Sequence, residues 1–138
     1  ARPGGTVAFY VWDYPGGGVE FMRAFWTAAA SLDPAAADLA EGRRFPFCTA
    51  EGLSDLMRKA GFSAIDVTSI EVPTVFRDFD DFWRPFTLGA GPAPGYCVSL
   101  GAEARHRLQH RLQDTLPRRE DGAIPLKTRA WALKSRVA

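Results

Sequence analysis

Residues 1–14 read ARPGGTVAFYVWDY, and the parsing of this stretch decides the fold. Arg2-Pro3-Gly4-Gly5 is turn chemistry, because proline fixes φ and paired glycines permit positive φ. Thr6 to Trp12 follows as one run of β-branched, aromatic and apolar residues. Such a run suits a strand buried on both faces, as in a parallel sheet. A tight turn needs something to turn from, and the stretch carries neither an initiator Met nor the charged, apolar and small-residue order of a signal peptide. The expectation is that Ala1 is an interior position of a longer protein.

Outward from that strand, the whole chain has 138 residues, enough for one ordinary domain with a modest core. Its 17 basic and 16 acidic residues leave a net charge of +1, which gives no electrostatic case for a nucleic-acid or anionic-membrane partner. No apolar stretch is long enough to span a bilayer. Cys48 and Cys97 are the only cysteines, with no third ligand nearby to make a metal site, so two reduced thiols in a cytoplasmic protein are expected. Four tryptophans among 138 residues point to a core or cleft built partly from large rings.

Asp13-Tyr14-Pro15-Gly16-Gly17-Gly18 breaks the first strand. From Val19 to Leu32 apolar residues recur at Phe21, Met22, Phe25, Trp26, Ala29 and Leu32, the spacing of an amphipathic helix. Asp33-Pro34 ends it. Ala35 to Ala40 reads as a short second helix stopped by Gly42, and Arg43 to Cys48 as a loop. Thr49 offers an N-cap to a helix with Leu53, Leu56, Met57 and Ala60 on its apolar stripe and Gly61 just past its end. Ile65 to Phe76 is rich in β-branched residues and reads as a long strand, with Pro73 favouring an edge strand or a strand end. Asp78 caps a short helix carrying Phe79, Phe82, Trp83 and Phe86. Gly89 to Gly95 reads as a flexible, exposed loop. Leu100 to Leu116 is helical, with Ala104, Leu108 and Leu112 on one face, and Pro117 ends it. Asp121-Gly122 turns the chain into a last strand, Ile124 to Val137.

In this order and spacing the segments resemble the C-terminal half of class I S-adenosylmethionine-dependent methyltransferases. "RPGG" at 2–5 resembles the turn that leads into the fifth strand of that family's Rossmann-like sheet. "TAEGLSDLMRKAGFSAIDV" at 49–67 is similar to the helix that ends in "aGF" and enters the sixth. "IPLKTRAWALKSR" at 124–136 resembles the seventh, antiparallel and inserted between the other two. "FRDFDDFWRPF" at 76–86 lies where many members carry substrate-recognition elements. The resemblance implies an α/β fold: a partial Rossmann-like methyltransferase sheet of strands equivalent to 5, 7 and 6, with residues 1–138 forming the C-terminal part of one domain and 77–117 a substrate-side insertion. It also implies S-adenosylmethionine as the cofactor and a small molecule as the methyl acceptor. The family's glycine-rich loop and ribose-binding acidic residue have no counterpart, and Gly16-Gly17-Gly18 follows the wrong strand to replace them. No residue of the chain is therefore assigned to the cofactor, and residues 1–138 alone are expected to be inactive.

Methyl transfer from a sulfonium depends chiefly on positioning and on exclusion of water, sometimes with a general base. Asp13, at the carboxyl end of the first strand, is the catalytic candidate; its competing role is to cap the turn before Pro15. Trp12 and Tyr14 are candidate walls of the substrate site, and so are Phe82 and Trp83, whose helical spacing equally suits a core. Arg43 and Arg44 are candidates for holding an anionic group, against a solvated loop. His106 and His110 stand four residues apart without a third ligand, so no metal is assigned. Cys48 has no visible base partner to make it a nucleophile. The alternative reading is a non-enzymatic α+β ligand-binding or dimerisation module. The resemblance implies that the strand beside Thr6 to Trp12 is absent, so this first strand, apolar and uncharged, is expected to self-associate through its edge.

Overall fold

A computed structural model describes residues 2–137. Its elements run β1 (Thr6–Trp12), α1 (Glu20–Leu32), a 3-10 segment (Pro34–Leu39), α2 (Glu41–Arg44), α3 (Ala50–Lys59), β2 (Phe62–Phe76), α4 (Phe79–Trp83), a second 3-10 segment (Arg84–Leu88), α5 (Pro92–Ser99), α6 (Ala102–Thr115) and β3 (Ile124–Val137). The fold is α/β, with a three-stranded antiparallel sheet. Its order is β1-β3-β2, so the last strand in sequence is the central one and runs antiparallel to both neighbours. β1 and β2 consequently point the same way on either side of it.

β3 explains how the helices divide over the two faces. From Ile124 to Ala130 its even-numbered residues are buried, whereas Leu133 and Ser135, on the opposite face, are buried further along. Of the first set, Ile124 and Leu126 lie in a large cluster with Phe25 of α1, Phe82 of α4, Cys97 of α5 and Leu112 of α6. Phe25 and Phe86 stack there with centroids 4.5 Å apart. Of the second set, Leu133 lies in a small cluster with Leu53 and Met57 of α3, Phe9 and Val67. Among the described residues, each half of the sheet is thus covered on one face only.

That division corrects the expectation for the first strand. Thr6 to Trp12 is not buried on both faces: its residues alternate between exposed and half-buried, and Tyr10 and Trp12 are 66% and 41% exposed. α3 covers the face of Phe9 and Val11, and nothing among the described residues covers the other.

The caps formed as their residues dictate. Thr49 Oγ1 accepts from the Gly52 amide at 3.0 Å, and Asp78 Oδ1 from the Asp81 amide at 2.8 Å. Gly61, at φ +84°, closes α3 by bonding to the Arg58 carbonyl. Leu56, expected on the buried stripe of α3, is exposed, because the helix lies on the sheet along Leu53 and Met57. β2 begins three residues earlier than Ile65: a bulge between Ser63 and Asp66, with Ala64 at φ +48°, interrupts the alternation that the sequence reading needs. Pro73 sits on this outer strand, as its missing donor requires.

Three further expectations are corrected. The expected helix Ala35 to Ala40 is instead 3-10 as far as Leu39, and Ala40 is extended. Gly42, Arg43 and Arg44 lie inside α2, so Gly42 stops nothing and the arginines are not on a loop. The stretch Gly89 to Gly95 leads directly into α5, whose Ala93 is fully buried. Pro92 occupies the first helical position and Pro94 the first turn, where amides have no intrahelical partner and proline costs little. No helix among the described residues is long and apolar enough to cross a membrane.

Candidate functional site

The turn after β1 is built around Asp13. Its carboxylate, 1% exposed as a residue, receives the Arg129 guanidinium on Oδ2, from Nε at 2.8 Å and from a terminal nitrogen at 2.6 Å. Oδ1 accepts from the Gly16 amide at 3.0 Å. Backbone bonds lock the same unit: the Asp13 amide donates to the Arg129 carbonyl, and the Arg129 amide to the Gly18 carbonyl. Glycine is required at Gly16 because a Cβ there would stand 2.6 Å from both Asp13 oxygens. Asp13 therefore anchors the loop and is not free to serve as a base; its capping role is the one it fulfils, with Arg129 as a partner that the sequence did not reveal.

Beside this turn lies a cleft of about 420 Å³ between the loop, α1 and α2. Its walls include Tyr14, Met22 and Trp26, with Arg23, Thr27, Glu41 and Arg43 as polar members. Glu41 is 5% exposed, and its Oε2 accepts from Trp26 Nε1 at 2.6 Å. That bond ties α1 to α2 and fixes the carboxylate. Arg23 and Arg43 stand at the surface, paired with Glu20 at 3.6 Å and Asp38 at 3.1 Å. Burial pushes the Tyr14 hydroxyl pKa up, and the negative groups Glu41 and Cys48 add to the rise. Cys48 is itself raised, by burial first and then by Asp13, which opposes the thiolate a nucleophile needs.

The candidate residues separate as follows. Tyr14 and Arg43 line the cleft. Arg44 points elsewhere, its guanidinium 5.4 Å from the centroid of the Phe45 ring. Trp12 lies on the uncovered sheet face, edge-on to Tyr10 at 6.5 Å. Phe82 and Trp83 belong to the large core, Phe82 wholly buried, and neither reaches the cleft. Their helical spacing served packing, because α4 lays Phe82 against Phe76 of β2 and both rings against Phe86 of the 3-10 segment after it. Met22, Trp26 and Glu41 were missed: Trp26 reads as one more apolar residue of α1, and only Glu41's place in a charged run ahead of an aromatic loop hinted at it.

His106 and His110 face each other on the exposed side of α6 with ring centroids 4.6 Å apart. Among the described residues no group of three or more His, Cys, Asp or Glu is placed to hold a metal ion. Gly16 and Gly18 do not form a cofactor cradle. A Cβ on Gly18 would meet Asp13 at 2.8 Å and Arg129 at 2.9 Å, so the space the glycines leave is filled by the protein's own ion pair. The turn at Gly16 to Gly18 therefore does not fit S-adenosylmethionine. No protein-family model and no curated protein sequence matches the chain.

Proposed function

We propose that the chain is the substrate-side, C-terminal part of an S-adenosylmethionine-dependent methyltransferase that acts on a small molecule in the cytoplasm. The observation that carries this reading is the sheet order: the last strand, Ile124–Val137, lies between Thr6–Trp12 and Phe62–Phe76 and antiparallel to both. This is the arrangement implied by the resemblance of "RPGG", "aGF" and the final strand. The cleft at the carboxyl end of β1 adds support, since ligands in α/β sheets bind beyond the carboxyl ends of strands. Tyr14, Met22 and Trp26 supply the walls that position an acceptor and keep water out. The missing cofactor cradle belongs, on this reading, to sequence upstream of residue 1.

The test is to translate the encoding reading frame and assay its full product. The expected frame holds an upstream strand followed by a glycine-rich turn, then a strand ending in an acidic residue. Its product is expected to transfer labelled methyl groups to small acceptors, and residues 1–138 alone to transfer none. A frame without those elements, or transfer by residues 1–138 alone, would overturn the proposal and favour a free-standing binding module.

A further inference from the structure

The charges of the cleft do not balance. Arg23 and Arg43 each face a surface carboxylate, Glu20 and Asp38. Glu41, buried to 5% exposure on the cleft wall, has no basic partner within ion-pair distance among the described residues. The one hydrogen bond to its carboxylate among the described residues comes from the neutral indole of Trp26. An isolated buried carboxylate is costly, and a protein keeps one where something else supplies the positive charge. The rings of Trp26 and Tyr14 share the same wall, and aromatic faces attract cations. The cleft, at about 420 Å³, falls within the range of small-molecule sites.

We infer that this cleft binds a small organic cation, with a protonated amine or similar nitrogen head on Glu41 and an apolar body among Tyr14, Met22 and Trp26. The free Oε1 of Glu41 accepts from the head group, while the bond from Trp26 holds the other oxygen still. Binding places the missing positive charge where desolvation has made it most valuable. From the proposed function this takes only that the cleft receives the acceptor. Its test reads binding and not methyl transfer, so either can fail without the other.

The test titrates the chain with phenethylamine, its neutral analogue 2-phenylethanol and its anionic analogue phenylacetate. The indole N–H resonance of Trp26 reports binding, assigned through Trp26→Phe. Phenethylamine is expected to shift the resonance saturably and to bind at least about tenfold more tightly than the alcohol, a charge-assisted hydrogen bond being the difference. Phenylacetate is expected to bind weakest. Glu41→Gln keeps the shape and the acceptor for Trp26; it should bring the amine down to the level of the alcohol and leave the alcohol unchanged. Should Glu41→Gln not fold, the amine–alcohol comparison on the unaltered chain decides alone. Absence of saturable amine binding, an alcohol that matches the amine, tightest binding by phenylacetate, or unchanged amine affinity in Glu41→Gln would overturn the inference.

Discussion

Arg129 keeps a third of its side chain in water, but its partner Asp13 keeps 2%. Removing the arginine therefore strands a buried carboxylate. Arg129→Ala is expected to lower stability by about 3 kcal/mol, the scale of a broken buried pair. Urea denaturation measures it, and a loss under about 1 kcal/mol would mean that the pair behaves like a surface one. Arg77 and Asp81 supply a surface contrast. Hydrogen bonds from Arg77 hold Asp81 down to about 2, against an ordinary 3.8. A depressed folded pKa gives stabilisation that is present above 3.8 and lost as the pH falls towards 2. Arg77→Ala should move the Asp81 titration, followed by carboxyl-carbon NMR, part of the way back towards 3.8, because the backbone amide of residue 77 still donates to Oδ2. The local half of this chemistry was legible: Asp13 before Pro15 and Gly16 announces a turn, and Asp78 a cap. Arg129 was not, because it reaches Asp13 across 116 positions of sequence and only the pairing of β1 with β3 brings them together.

At the scale of elements, the long helices and the final strand follow from periodicity, and α3 from its cap. Thr49→Ala is expected to cost about 1 kcal/mol, read as a shift in the denaturation midpoint at unchanged slope. α5 was hidden because glycines and prolines dominate its sequence, although its prolines occupy positions that tolerate them. β1 and β2 are the two outer strands, and β1 is the one with no charged residue and no bulge. The Gly5 carbonyl accepts from Val137 and the Asp13 amide donates to Arg129. Alternation then turns the backbone groups of Thr6, Ala8 and Tyr10 away from β3. The strand carries no charge to repel a copy of itself, and charges or bulges are the usual guards of such edges. In a solution of residues 1–138, two copies are expected to pair through this edge, and light scattering should give the mass of two chains. Tyr10→Lys should return it to one. A single-chain mass for the unaltered sequence at the same concentration would count against edge pairing.

For the whole molecule, the order of strands was legible because each carries its own marker: a turn of Pro3, Gly4 and Gly5 before the first, Gly61 before the second, Asp121-Gly122 before the third. The two-sided covering was not, since it depends on β3 exchanging its buried face near Ala132. The cleft was half legible. Tyr14 and Arg43 were found from their places in the chain, whereas Trp26 and Glu41 meet only because the 3-10 segment at Pro34–Leu39 folds α2 back onto α1. That cleft and the sheet order carry the functional account, which assigns the cofactor cradle to sequence outside these residues. Calorimetric titration with S-adenosylmethionine tests this most directly, run on residues 1–138 and on the full product of the reading frame. The account expects saturable micromolar binding by the full product and none by residues 1–138; saturable binding by residues 1–138, or none by the full product, would contradict it.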